Sequence, residues 1–165
     1  MDKCGDKSSK QWTTKKTNTR KTMFIGEYHH TIDEKGRLAV PVKFRKDMKS
    51  GGVVTRGLDY CLFVYPKKDW EELAQRLSKL PIAKATSRAF ARLMLAGAME
   101  VTVDSQGRVM IPEYLREFGG FRKTIVVAGL YNRIELWDEK AWEKYRKGTE
   151  SKSGDIAEAL GELGV

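Results

Sequence analysis

The sequence predicts an α+β fold, mainly β, in which one plan is used twice. Two observations carry that prediction. Thr31-Ile32-Asp33-Glu34-Lys35-Gly36-Arg37-Leu38-Ala39-Val40-Pro41 is echoed by Thr102-Val103-Asp104-Ser105-Gln106-Gly107-Arg108-Val109-Met110-Ile111-Pro112. Each copy reads as a β-branched run, a tight turn, a second apolar run and a proline opening a helix. The match then persists along the chain. Asp33, Gly36, Arg37, Pro41 and Arg45 meet Asp104, Gly107, Arg108, Pro112 and Arg116 at one constant offset. After one extra residue, Gly57-Leu58, Leu62, Val64 and Trp70 meet Gly129-Leu130, Ile134, Leu136 and Trp142. Self-similarity of this extent marks two homologous halves of roughly 45 residues. Units that small bury too little apolar surface to be comfortable alone, so the halves are expected to share a core or be completed by neighbouring chains.

The elements follow in order. Residues 24–37 form the first hairpin, with Gly36 free to take positive φ and Asp33 able to accept nearby backbone N–H groups. Pro41 suits the first helical position, where a missing N–H has no intrahelical partner to lose. Val42, Phe44 and Met48 then make a short helix that stops before Gly51. Two strands are expected over 53–58 and 61–65. Trp70, Leu73, Ala74, Leu77 and Leu80 recur at spacings of three and four, which predicts a helix over 66–80 ended by Pro81. A second helix is expected over 83–96, with Phe90, Leu93, Met94 and Gly97 along one side and Arg88 and Arg92 on its surface.

The second half repeats the plan, with Gly107 and Asp104 in its turn and Pro112 before a short helix carrying Leu115 and Phe118. Strands are expected over 124–128 and 133–137. Asp138 is a candidate N-cap for a closing helix whose buried stripe is Ala141, Trp142 and Tyr145. Residues 148–154 read as a linker, and 156–163 as a helix too short to be stable unless it docks.

At 165 residues, 41% hydrophobic and 32% charged, the composition is that of an ordinary globular protein. The net charge of +9 is unevenly spread. Residues 1–22 hold seven basic and two acidic residues and almost nothing apolar, so a disordered basic extension is expected there. The remainder is only mildly basic. No apolar run approaches the roughly 18 residues of a membrane span. Cys4 and Cys61 give neither a disulfide framework nor a zinc spacing, and Cys61 reads as a small core residue. His29 and His30 are adjacent in a strand and point to opposite faces, which argues against one shared metal.

Enzymatic motifs are lacking: there is no phosphate-binding glycine loop, paired-histidine metal motif or nucleophile with a readable base, and neither cofactor nor metal is expected. Asp33 with Arg37, and Asp104 with Arg108, stand four apart across a tight turn and can pair to fix it. The cations suggest a second role. Arg37, Arg108, Lys35, Lys43, Arg45 and Arg116 all lie in the turns, second strands or short helices. A guanidinium fork matches a guanine edge or a phosphate, and a two-stranded ribbon fits a major groove. Two hairpins of one chain are thus candidates to address two successive DNA segments.

From Met23-Phe24-Ile25-Gly26-Glu27-Tyr28, through both Asp-x-x-x-Arg signatures, Leu38-Ala39-Val40-Pro41 and Tyr65-Pro66, to Glu135-Leu136-Trp137-Asp138, the sequence resembles the MraZ family of bacterial transcriptional regulators. The resemblance covers residues 23–147. It implies a double AbrB/SpoVT-like swapped-hairpin β-barrel core with short helices, in which one chain does the work of a two-chain dimer. It divides the chain into a first AbrB-like domain (23–70), a helical connector (71–97), a second AbrB-like domain (98–147) and a C-terminal tail (148–165), with residues 1–22 outside the family pattern. It further implies a homo-oligomeric ring, cytoplasmic and nucleoid-associated. That ring would bind double-stranded DNA at short direct repeats in the promoter of the division and cell-wall gene cluster. Carried over, Arg37 and Arg108 would be the leading DNA contacts, oriented by Asp33 and Asp104. The main alternative is an antitoxin-like or scaffold protein-interaction module; a non-specific nucleic-acid binder would show affinity that follows salt and not sequence.

Overall fold

The computed structural model describes residues 22–164. The sequence-predicted basic extension falls on residues that lie, but for Thr22, outside that range. Eight strands and six helices alternate along the described chain. The first half contributes β1 (Phe24–Thr31), β2 (Arg37–Ala39), α1 (Val42–Arg45), β3 (Gly52–Arg56) and β4 (Leu62–Pro66). The helices α2 (Lys67–Ser78) and α3 (Ala85–Ala91) follow, and α3 runs into a single π turn, Arg92–Ala96. The second half contributes β5 (Met99–Val101), β6 (Arg108–Met110), α4 (Glu113–Phe118), β7 (Thr124–Tyr131) and β8 (Ile134–Asp138). Two helices close the chain, α5 (Glu139–Glu150) and α6 (Ser153–Gly161).

Six strands form one antiparallel sheet in the order β1-β7-β8-β4-β3-β5, and β2 and β6 form a separate two-stranded ribbon. The pairing crosses between halves. β1 runs beside β7, from Phe24 opposite Tyr131 to Thr31 opposite Thr124, while β5 runs beside β3. Within the first hairpin, pairing between its own strands is reduced to the single bridge Ile32–Leu38. The hairpins expected from sequence are therefore turns whose arms part and pair with the other half. The driving term is burial: the crossing places Phe24, Leu38, Phe44, Met48 and Leu62 in one cluster with Val109, Ile111, Leu115, Ile125 and Leu136. Each half supplies about half of that core, which removes far more apolar surface from water than either could alone.

The opposite face of the sheet is covered as well. Cys61, Phe63, Tyr65, Val126 and Trp137 form a second cluster with Leu77 and Met94, against which Trp70, Leu73 and Trp142 pack. β4 and β8 are consequently buried at every position, as central strands covered on both faces must be.

Three expectations from periodicity need correction. Leu80 lies beyond the end of α2 and is exposed, and so is Phe90 on α3. The helix expected over 83–96 changes to π geometry at Arg92, where Thr55 Oγ1 donates to the Met94 carbonyl at 2.6 Å. That inserted side chain competes for the helical ladder, a recognised cause of such bulges. On α5 only Trp142 of the expected stripe is half-buried; Ala141 and Tyr145 are exposed, although the Tyr145 ring stands 5.0 Å from that of Trp137. Asp138 does cap α5, accepting from the Lys140 N–H at 3.2 Å.

Candidate nucleic-acid interface

The two repeated turns are built by the same bonds. In the first, Asp33 Oδ1 accepts from the backbone N–H groups of Lys35 at 3.0 Å and Arg37 at 2.9 Å, and its Oδ2 accepts from Arg37 Nε at 2.6 Å. In the second, Asp104 Oδ1 accepts from Gln106 and Arg108 N–H, both at 2.9 Å, and Oδ2 accepts from Arg108 Nε at 3.0 Å. The Gly36 and Gly107 N–H groups donate back to the Asp33 and Asp104 carbonyls, at φ +84° and +78°. One carboxylate thus closes the backbone loop and fixes the arginine side chain leaving it. Those N–H donors, led by Arg37 and Arg108 themselves, hold both carboxyls below their ordinary pKa of 3.8.

The turns also lock into each other. Ile111 N–H donates to the Gly36 carbonyl at 2.7 Å, and Val40 N–H to the Gly107 carbonyl at 2.8 Å. Arg116 donates through Nε to the Ile111 carbonyl at 3.1 Å, and Arg45 to the Val40 carbonyl at 2.9 Å. Each guanidinium lies against the glycine of the opposite turn: Arg116 fills the space a Cβ on Gly36 would need, and Arg45 does the same at Gly107. Arg45 and Arg116 therefore have a bonded, half-buried place between the halves. Lys35 at the first turn's tip and Lys43 on α1 are exposed.

Between the turns runs the β2–β6 ribbon, where Arg37 faces Met110, Leu38 faces Val109 and Ala39 faces Arg108. Leu38 and Val109 are buried, so the alternation puts Arg37, Met110, Ala39 and Arg108 together on the other face. Arg37 and Arg108 are diagonal neighbours there. The structure unites on one surface two arginines that the sequence places on separate hairpins.

Comparison with known proteins fits this doubled construction. The family model described as "MraZ protein, putative antitoxin-like" matches twice in succession, over residues 23–93 and 94–161. The chain belongs to the MraZ family. It is 46% identical over 143 residues to the transcriptional regulator MraZ of Halothermothrix orenii, covering 87% of this chain and all of that protein. The corresponding MraZ regulators of Natranaerobius thermophilus and Moorella thermoacetica are 44% and 46% identical over 138 residues, 84% of this chain and 96% of each relative.

Around this MraZ-type core the structure adds contacts that sequence reasoning missed. Asp138 does more than cap its helix, because both its oxygens also accept from Arg122, with Nη2 at 2.6 Å and with the backbone N–H and Nε on Oδ1. Burial raises the Asp138 carboxyl, but the bonds from Arg122 outweigh it and hold the group below 3.8. The neighbouring Lys123 carbonyl accepts Ile32 N–H at 3.0 Å, so this segment is sewn to the root of the first turn. The one signal in the sequence is the single extra residue that precedes this stretch in the second half.

On the far face of the sheet, Glu135 is buried and accepts from Trp137 Nε1 at 3.1 Å and from Arg133 at 2.8 and 3.1 Å. Burial also drives the Cys61 thiol strongly upward, which keeps it protonated and unreactive. His29 bonds Glu139 and Glu27, and those bonds raise its pKa. Among the described residues no His, Cys, Asp and Glu group is arranged to hold a metal ion, and no helix is long and apolar enough to cross a membrane.

Proposed function

We propose that the chain is a sequence-specific DNA-binding transcriptional regulator without catalytic activity, working in the cytoplasm on the nucleoid. The observation that carries this reading is the ribbon face on which Arg37 and Arg108 are presented together, each braced by its own aspartate. A braced guanidinium loses less side-chain entropy on binding than a mobile one. Arg37 bonds Asp33 through Nε, which leaves its Nη groups to meet a base edge or phosphate, while Arg108 also sets Nη2 3.0 Å from Asp104 Oδ2 and keeps Nη1 for that role. Lys35 and Lys43 add cations for the backbone, while Arg45 and Arg116 hold the two turns in register as well as adding charge.

The reciprocal pairing of the halves supports an AbrB/SpoVT-like swapped-hairpin core divided at 23–70, 71–97, 98–147 and 148–165, in which the two halves replace the two chains of a dimer. Several large apolar side chains are exposed, among them Tyr60, Ile82, Ile156 and Leu163, and they supply surface for self-assembly into a ring. A ring engaging short direct repeats in the promoter of the division and cell-wall genes would turn weak single contacts into avidity. The same exposed apolar side of α6, with the family's antitoxin-like description, favours as the second reading a protein-interaction module.

The deciding experiment is competition binding with the full chain, using the DNA upstream of its own gene against shuffled DNA of equal length. Native DNA is expected to win. Arg37→Ala should keep the fold and weaken specific binding by about 1–3 kcal/mol for each bidentate base interaction removed. Equal affinity for both DNAs would mean a non-specific binder, and binding to neither would favour the interaction module.

A further inference from the structure

The two turns are nearly identical inside but not in what stands beside them. At the place where the second half carries Arg122-Lys123-Thr124, the first half has Ser50-Gly51-Gly52. Because the halves cross, Arg122 and Lys123 lie not beside their own turn but beside the first one, where the Lys123 carbonyl accepts the Ile32 N–H. There they line a notch of about 390 Å³ together with Asp33, Glu34 and Arg116.

The charges of this notch are not all available. Asp33 is engaged by Arg37 and Lys35, and Arg122 by Asp138, so both ion pairs are internally neutral. Arg116 uses only its Nε, on the Ile111 carbonyl. Lys123 is exposed and has no ion pair among the described residues, and Glu34 is the one acid of the notch in the same position. Lys35, at the tip of the same turn, adds a further exposed cation. The second turn has Gln106 where the first has Lys35, and a glycine where Lys123 would be. That glycine, Gly51, sits at φ +87°, with the Val101 carbonyl 3.2 Å from where a Cβ would project. The asymmetry is thus held by backbone conformation as well as by composition.

We propose that Lys123, placed by the Arg122–Asp138 pair and assisted by Arg116, binds a DNA backbone phosphate beside the bases addressed by Arg37. This rests on the DNA-binding reading above and adds to it a phosphate site and a polarity. The first turn is the electrostatic anchor and the second a lighter contact, so a pseudo-symmetric ribbon grips the duplex in one orientation. Arg122 is a positioning residue: its guanidinium fixes the backbone that carries Lys123 and does not itself meet the phosphate.

The test is fluorescence anisotropy on the full chain with its own upstream DNA and a shuffled duplex, over a range of salt concentrations. Variants are Lys123→Ala, Lys123→Arg, Arg37→Ala and, as a remote control on α5, Lys144→Ala. Lys123→Ala should weaken both duplexes alike and make the slope of log affinity against log salt shallower by about 0.9 per engaged protomer. Its preference for native DNA should be unchanged. Lys123→Arg should restore the slope, and Lys144→Ala should change nothing. Arg37→Ala should instead erase the preference. A wild-type slope and affinity in Lys123→Ala overturns the phosphate site while leaving the DNA reading intact if Arg37→Ala still loses preference. Lys123→Ala losing preference rather than slope would make it a base contact and equally overturn the proposal. Failure of the wild type to bind either duplex overturns both. Because Lys123 is exposed, its variants should melt with the wild type, and a lowered melting temperature would count the residue as structural and overturn its assignment to phosphate.

Discussion

Substituting Gly36 by alanine should measure how tightly the two turns interlock. At φ +84° any residue with a Cβ is strained, at a cost of about 1–2 kcal/mol. The added methyl would also lie 2.5 Å from the Ile111 carbonyl and 2.9 Å from Arg116 Nε, a backbone atom and a bonded guanidinium that cannot both withdraw. Overpacking of that kind adds about 1–3 kcal/mol. A total of about 3 kcal/mol lowers the melting temperature of a chain this size by roughly 10 °C. Gly120 is the matched control: its φ is +60° but nothing lies within 4 Å of its Cβ position. Alanine there should meet only the conformational cost, a drop of roughly 3 °C. Both variants would be melted with the wild type at one protein concentration, since self-assembly makes melting temperatures concentration-dependent. Equal drops at the two sites would refute the reasoning, because they would show that the opposite half does not press on the turn.

Two further predictions concern buried or braced acids. Asp33 and Asp104 are held below their ordinary pKa, so the unfolded chain binds more protons than the folded one, and the stability they contribute is present above pH 3.8 and lost as pH falls through the lower folded value. The double variant Asp33→Asn with Asp104→Asn should therefore show a flatter dependence of melting temperature on pH through that acid window; a slope equal to the wild type's would show that the carboxylates contribute nothing through ionisation. Glu135→Ala leaves the Trp137 N–H and the Arg133 guanidinium without their acceptor and should cost about 3 kcal/mol in urea unfolding. A loss below about 1 kcal/mol would mean that water replaces the carboxylate.

Local chemistry is legible in the sequence and long-range pairing is not. Asp33 with Gly36, and Pro41 with Phe44, announce a turn and a helix because each acts on residues within a few positions. The apolar run from Leu62 to Tyr65 announces a strand, but nothing in such a run says which strand lies beside it. The first turn on its own predicts that β2 pairs with β1, whereas it pairs with β6. The bonds of Arg45 and Arg116 are illegible for the same reason: the glycines they cover lie in the opposite half. The π turn at Arg92 depends on Thr55, far away in the chain, and the exposure of Tyr145 depends on how α5 lies across β7 and β8. Arg122 and Lys123 read as ordinary surface cations until the crossing of the halves sets them beside the first turn.

That crossing has a consequence for synthesis. Phe24 is made early, but its partner Tyr131 appears more than a hundred residues later. At about 5–20 residues per second the first strand waits for at least several seconds before its neighbour exists. During that time the Leu38, Phe44 and Leu62 side chains lack the second half of their core. A domain that folded as it emerged would shield them; here the nascent first half must remain open, and contacts of such sequence separation also make the final closure slow. The chain is therefore expected to depend on whatever holds it unfolded but soluble at the ribosome exit, with folding released only when residues 124–131 have cleared it.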